Sequence, residues 1–439
     1  MNNEARNNML SSGRLVNMLV LLLVGVGLLF MGLDRNASAH MLYTAAFIAT
    51  MHMVIVHLGK YSLGLRPRAG VDLSILGIGL GVMLVSQFFW WCYLGGYVQY
   101  GWMNRYVAHN MTYWISSFII IFYLLRYYQG TGRSLDRILM VLMGLLYLYI
   151  FYLGMYEYYV GHERIVLKVG NPVPAAFVLY SFTLAMLLVL VRNMDMYISR
   201  YLIVMVAILG GGLIAWTGTR SVLVIYGLTL LVGVCYLQST LFSQPGKKCL
   251  IPYIVMILCL ITVAGMLLNT RFSWLYSDLT RYLHGDVTGS LGARFTMWKA
   301  GWMTFAHWPW GYSANNRYNV VLEQLNILLR NDPNAMETLR YVSFYNLHNE
   351  FVEVASLQGI PGLCALILYY MALLWVAIRR AIVNICFGIF VIAMLLYGVM
   401  DPLFNSDKIQ LCVAFMLPLL IFFSIPVHHQ TREESVDVQ

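Results

Sequence analysis

About a dozen stretches of roughly twenty apolar residues, separated by short polar breaks, decide what this chain can become. A helix of about 20 apolar residues is what a bilayer core about 30 Å thick requires. That template fits residues 15–33, 39–58, 71–91, 110–126, 135–153, 172–191, 200–216, 219–237, 249–268, 350–377, 381–399 and 409–426. Composition agrees, with 60% hydrophobic and 11% charged residues among 439, where soluble domains carry about 25% charged residues. The expected fold is an all-α polytopic membrane protein with about 12 transmembrane helices and one large polar loop. Residues 1–426 form a single transmembrane domain that includes the 269–349 loop, and residues 427–439 form a polar tail.

The basic residues orient the bundle, because short cytoplasmic loops carry the Lys and Arg excess. An even number of spans puts both termini on one side. Arg6, Arg14, Lys60, Arg66, Arg68, Arg126, Arg133, Arg137, Arg192, Arg200, Lys247, Lys248, Arg379, Arg380 and Arg432 then face the cytoplasm, 15 of the 28. Arg35, Arg105, Arg164, Lys168, Arg220 and Lys408 fall on the opposite short loops or their edges. Both termini are expected in the cytoplasm and the long loop outside it. The first span has no small-residue cleavage site before Asp34, so it reads as a retained helix. Much of the net charge of +9 is this orientation signal, facing anionic lipid. No nucleic-acid motif is present. The seven cysteines lie in or at the ends of spans, which gives no disulfide framework and no CxxC metal pair.

The long polar stretch, from Thr270 to Leu347, interrupts an otherwise apolar chain. Leu291, Phe295, Trp298, Trp302 and Phe305 recur at three- and four-residue spacing, the stripe of a helix ended by Pro309 and Gly311. Tyr318, Val321, Leu322, Leu325, Leu328 and Leu329 form a second stripe that stops before Asn331-Asp332-Pro333. Two amphipathic helices of this kind would lie on the leaflet or cap the bundle.

Three motifs frame the loop. Thr217-Gly218-Thr219-Arg220-Ser221 ends a span before it. Ser290-Leu291-Gly292-Ala293-Arg294 lies within it, with Trp298, Pro309 and Gly311 following. Leu347-His348-Asn349-Glu350-Phe351 closes it, with Gly359-Ile360-Pro361-Gly362 beyond. Their order and spacing resemble the O-antigen ligase and polymerase superfamily, and the stretch from Gly289 to Gly362 looks most like an enterobacterial-type O-antigen ligase. The resemblance implies transfer of an O-antigen polysaccharide from undecaprenyl diphosphate to the outer sugar of lipid A-core, at the periplasmic face of the bacterial inner membrane, during lipopolysaccharide biosynthesis. It also implies a C-type glycosyltransferase fold that needs no metal or other cofactor. The expected partners are that lipid-linked donor, the lipid A-core acceptor and membrane lipids.

Such a transfer needs fixed cations for a growing diphosphate charge and one base for one proton. Arginine suits the first task, because its planar fork binds phosphate oxygens in pairs and keeps its charge when partly desolvated. Arg220 and Arg294 are the candidates. Snorkelling alone explains an Arg at a span boundary, and Asp286 or Glu323 would serve Arg294 as a surface partner. His348 is the candidate base, since imidazole titrates near neutral pH. Asn349 is expected to orient the ring or the substrate. Glu350 and Glu353, three apart on one helical face, are expected to line a cavity or neutralise an arginine. Arg317 and Lys299 are substrate-docking candidates, with Arg271, Arg281 and Arg340 behind them, although solvated surface charge explains each alone. His40, His52, His57, His109 and His307 carry no catalytic pattern. The outer segments hold no Asp-x-Asp pair, HExxH or His/Cys cluster of the kind a catalytic metal requires.

Two other readings stay open. An O-antigen polymerase, whose substrates are both lipid diphosphates, fits the same basic loop. A lipid-linked glycan transporter would be expected to show internal repeats or interrupted spans; neither is apparent from the sequence.

Overall fold

A computed structural model of the protein describes residues 3–58, 70–96, 101–127, 133–161, 164–192, 197–241, 276–287, 289–330, 346–380, 385–404 and 406–423. The expected span at 249–268, the loop cations Arg271 and Arg340, and the tail at 427–439 lie outside these residues. Among the described residues the regular structure is helical, with no strand. The principal helices are α1 (Asn3–Phe30), α2 (Arg35–Leu58), α3 (Gly70–Tyr93), α4 (Gly101–Tyr127), α5 (Arg133–Val160), α6 (Pro172–Arg192), α7 (Tyr197–Trp216), α8 (Arg220–Leu241), α9 (Ser290–His307), α10 (Ala314–Leu328), α11 (Glu350–Arg380), α12 (Ile385–Met400) and α13 (Asp407–Phe423).

Among the described residues six helices are long and apolar enough to cross a membrane: Arg35–His57, Leu73–Tyr93, Val107–Tyr127, Arg137–Val160, Pro172–Val191 and Glu350–Arg379. Leu15–Phe30, Tyr201–Trp216, Arg220–Gly233 and Ile385–Met400 are shorter apolar helices. The protein is a polytopic helical membrane protein. Helix α6 is its central post, with Ala175 to Phe182 buried without a break. Outward from it, Phe47, Ile55, Val85, Leu145 and Val224 remain exposed, as apolar side chains do where lipid is the solvent.

Polar contacts gather at one end of the bundle. Arg35 at the start of α2 pairs with Asp407 at the start of α13. Lys408 donates to the Val169 carbonyl just ahead of α6, and the Thr219 hydroxyl donates to Pro172 O (3.2 Å) between the starts of α6 and α8. Arg164 Nε donates to Thr217 O (2.6 Å). Four of the cations expected on the side opposite the cytoplasm, Arg35, Arg164, Arg220 and Lys408, thus share this end. The α9–α10 pair also sits here. Ala314 N donates to Gly96 O (2.8 Å) beyond the end of α3, and Trp90 Nε1 donates to Tyr312 O (2.8 Å).

Helix α11 is broken. Gly359 takes φ +66° and ψ −156°, a conformation essentially restricted to glycine, and Pro361 opens the next turn as a helix-starting proline does. The freed backbone groups are used by the loop between α9 and α10. Ile360 N donates to Pro309 O (2.7 Å), and Tyr312 N donates to Leu357 O (2.8 Å). Gly311, at φ +96°, lies against this break, where a Cβ would sit 2.7 Å from Leu357 O. The sequence reading found no interrupted span, and this break corrects it. It does not revive a transporter, because the protein's own backbone fills the gap.

The two outer helices bury faces of different kinds. On α9 the buried face is Gly292, Ala293, Thr296, Met297, Ala300, Gly301 and Thr304, while Trp302 is 44% exposed. The small residues let the helix backbone approach α11 closely, and a Cβ on Gly301 would stand 2.7 Å from Leu347 Cδ1. Of the aromatic stripe, Trp302 faces outward, while Trp298 packs against the small core that Met297 and Ala300 form with Val321 and Leu325. On α10 the expected stripe largely holds, with Val321, Leu325 and Leu329 buried and Ser313 capping the helix through Asn316 N (3.4 Å).

Replacement of Gly359 by Ala should destabilise the protein by at least roughly 1–3 kcal/mol from backbone strain, with a clash against Trp310 C at 2.5 Å added. Gly212→Ala, in open space within α7, is the control and should leave the thermal midpoint in detergent unchanged. Equal midpoints for the two variants would refute the interlock.

Candidate active site

The chain enters α11 through a tight turn. Asn349 caps the helix, its Oδ1 accepting from Phe351 N (3.0 Å) and Val352 N (3.1 Å), which satisfies two of the donors that every helix start exposes. Its Nδ2 donates to Val399 O (3.1 Å) near the end of α12. Asn349 thus orients backbone. The residue before it, His348, has φ +52°, an uncommon conformation for a non-glycine residue. Asn346 supports that turn by accepting from His348 N (2.7 Å).

This backbone aims the imidazole at Asp401, which follows directly on α12. His348 Nδ1 lies 2.8 Å from Asp401 Oδ1. Asn346 Nδ2 donates to the same oxygen (3.3 Å), and the Tyr397 hydroxyl donates to Oδ2 (3.1 Å). Donors converging on both oxygens suit a carboxylate, which only accepts. With Nδ1–H as the donor, Nε2 is left as the basic lone pair. Asp401 is buried while the His348 side chain remains 28% exposed, so the ring has a fixed side and an open side.

Arg294, on α9, belongs to the same constellation. Burial lowers its pKa, and the carboxylate of Asp401 nearby opposes that shift. A guanidinium stays protonated under such a shift, so it is a partly desolvated cation beside a carboxylate. Its electrostatic partner is therefore Asp401, where the sequence offered Asp286 or Glu323.

The remaining candidates separate. Arg220 opens α8 at the same end and is exposed; it has no hydrogen bond or ion pair to the His348 cluster among the described residues. Lys299 is exposed on α9. Glu350 is buried, accepting from the Tyr370 hydroxyl on Oε2 (2.6 Å) and Phe404 N on Oε1 (3.1 Å). It ties the start of α11 to the turn after α12 and lines no opening to solvent. Arg317 departs most from the expected docking cation. It is 1% exposed and donates through both terminal nitrogens to Glu353 (3.2 and 2.9 Å). A guanidinium so enclosed is not available to a substrate phosphate. Glu353 fulfils the expectation that one acid of the pair neutralises an arginine.

Asp401 and Tyr397 were missed by sequence reading. The available signal was a single acid at the end of an apolar span, Met400-Asp401-Pro402, in a chain with only 19 acidic residues. Such an acid is a functional suspect by default. Among the described residues no group of three His, Cys, Asp or Glu side chains converges as a metal-ligand set.

Comparison with known proteins bears on this end of the molecule. Residues 203–367 match the family model described as O-Antigen ligase. That stretch carries Arg220, Arg294, His348 and the Gly359–Gly362 turn, and stops short of Asp401. The chain is also 23% identical over 213 residues to the O-antigen ligase of Escherichia coli (strain K12), covering 47% of this chain and 48% of that protein. It thus spans about half the length of the curated relative it matches. The resemblance to the O-antigen ligase superfamily read from the three motifs is borne out by both matches.

Asn349→Ala should lower stability by roughly 1–2 kcal/mol through the lost cap and the lost bond to Val399 O. Asn349→Asp keeps the cap and should fall between wild type and the Ala variant in thermal unfolding. An Ala variant as stable as wild type would remove the capping role.

Proposed function

We propose that the protein is an O-antigen ligase, a metal-independent glycosyltransferase that moves a glycan from undecaprenyl diphosphate to lipid A-core at the periplasmic face of the inner membrane. The observation that carries the reading is the His348–Asp401 pair with Arg294 beside it, at the end of the bundle where the outer cations gather. In this reading both termini are cytoplasmic and the 269–349 segment is periplasmic.

The chemistry follows from the geometry. The acceptor hydroxyl gives its proton to His348 Nε2 as its oxygen bonds to the anomeric carbon. The bond from that carbon to the diphosphate oxygen breaks, and the lipid diphosphate leaves with the electron pair. Asp401 holds the Nδ1–H tautomer and stabilises the imidazolium that forms, the role a carboxylate plays behind a catalytic histidine. Arg294 meets the charge growing on the leaving diphosphate, where a fixed cation in a partly dry site is worth most. Arg220 is the second diphosphate cation, free in its exposed position to follow the donor. Lys299, exposed on α9, is a docking cation for acidic groups of the acceptor.

An O-antigen polymerase would use the same residues with a second lipid diphosphate as acceptor, so the acceptor decides between them. Purified protein in liposomes, given undecaprenyl-diphosphate glycan and lipid A-core in excess chelator, should yield glycan joined to lipid A-core. Lengthened lipid-diphosphate glycan as the sole product would make the enzyme a polymerase. Turnover restored only by Mg²⁺ or Mn²⁺ would end the metal-independent reading.

His348→Ala should lower kcat by about 10²–10⁴-fold with donor KM nearly unchanged, the size expected of a general base. Asp401→Asn should act on kcat in the same direction, because the amide also supports the wrong tautomer. Arg294→Lys and Arg220→Lys keep a charge but lose the fork, and should reduce turnover and donor affinity together. A correctly inserted His348→Ala protein with wild-type kcat would show that another group activates the acceptor.

A further inference from the structure

The turn that carries His348 is held from beneath by a charge pair that never touches it. Glu353, one turn into α11, receives both terminal nitrogens of Arg317 and, on Oε2, the backbone N–H of Leu347 (2.9 Å). Both ionic side chains are enclosed, at 2% and 1% exposure. The Leu347 side chain enters the small core of Met297, Ala300, Val321, Leu325 and Val352, which joins α9, α10 and α11. The residue immediately before His348 is therefore fixed at its amide by a carboxylate and at its side chain by packing. Its successor, Asn349, is fixed by the helix cap. His348 sits between these two anchors with its backbone at φ +52°.

A buried pair of this kind is a poor source of stability, because desolvating two charges costs about as much as their attraction returns; well-packed apolar replacements are often neutral or stabilising. Its distinctive effect is geometric. A carboxylate locked by a two-pronged guanidinium has one orientation, and the Leu347 amide must meet it.

We propose that Arg317 and Glu353 are positioning residues for His348, fixing the imidazole against Asp401 through the Leu347 amide, so that turnover requires α10 to be seated on α11. The inference rests on the reading of His348 as the base and adds to it a requirement carried by two residues remote from the reacting atoms.

Two double variants separate positioning from plain stability. Arg317→Met with Glu353→Met removes both charges and the acceptor for Leu347 N. Arg317→Met with Glu353→Gln removes both charges but keeps a carbonyl for that amide. The first should lose about 10- to 100-fold in kcat, the scale on which misplacing a catalytic group by about 1 Å acts, with donor KM within about twofold. The second should recover most of that loss. Equal kcat in the two, at equal thermal midpoints, would overturn the proposal.

Combination with His348→Ala gives the test that survives poor folding. Glu353→Gln alone keeps one carbonyl for the Leu347 amide and Arg317 Nη1 but turns an amide NH2 toward Arg317 Nη2, so one prong of the fork is lost, and it should lower kcat a few-fold in the native background. In the His348→Ala background it should lower kcat no further. Losses that multiply would mean that Glu353 acts independently of His348, and the positioning role would fall while the base assignment stood. A His348→Ala protein with undiminished kcat would instead take down the base assignment itself.

Discussion

The arrangement depends on how one broken helix satisfies its own backbone. At Gly359 the helical ladder of α11 stops, and in a bundle surrounded by lipid an unpaired amide or carbonyl is expensive. The loop at Pro309–Tyr312 supplies the missing partners, in return obtaining partners for its own groups. The docking is possible only because glycine stands on both sides of the contact. Once it forms, α9 and α10 have a fixed seat on the bundle. Arg294 is then held close to Asp401, and Arg317 reaches Glu353.

The site is thus a product of three separate constraints meeting at one point. The break seats the outer layer, the Asn349 cap and the Glu353 carboxylate fix the turn before α11, and the packing of Phe177 on Tyr397 (centroids 4.7 Å apart) sets the end of α12. None of these contacts touches the open side of the imidazole. They determine where it stands, and a static charge such as Arg294 is useful only when that position is held.

Much of this was legible from residue order alone, and the failures have identifiable causes. Apolar runs reveal helices because lipid imposes a length, and each expected stretch that falls on described residues coincides with a helix, six of those helices being long and apolar enough to cross a membrane. Motif spacing singled out His348 and Arg294, which the fold brings to the same carboxylate, Asp401. Apolar periodicity marked the stripe of Leu291, Phe295, Trp298, Trp302 and Phe305 on α9 but not the face it buries, Gly292, Ala293, Met297, Ala300 and Gly301. The close approach to α11 favours small side chains instead, and size is not what a hydrophobicity pattern measures. Asp401 escaped because its partner lies 53 positions away in sequence, and local spacing carries no trace of such a pairing. Arg317 was misplaced for the same reason. A lone arginine on an amphipathic stripe looks solvated until Glu353 is brought over it by tertiary packing.

The order of those residues along the chain has a consequence in time. Arg294 leaves the ribosome before His348, and His348 before Asp401. The dyad joins the entrance of one late helix to the exit of the next, so an incompletely synthesised chain can hold its outer loop and its arginines in place and still possess no oriented base. With His348 as the base we propose, activity begins only when the hairpin of α11 and α12 has closed in the membrane. Until then the nascent chain is a cationic surface without chemistry.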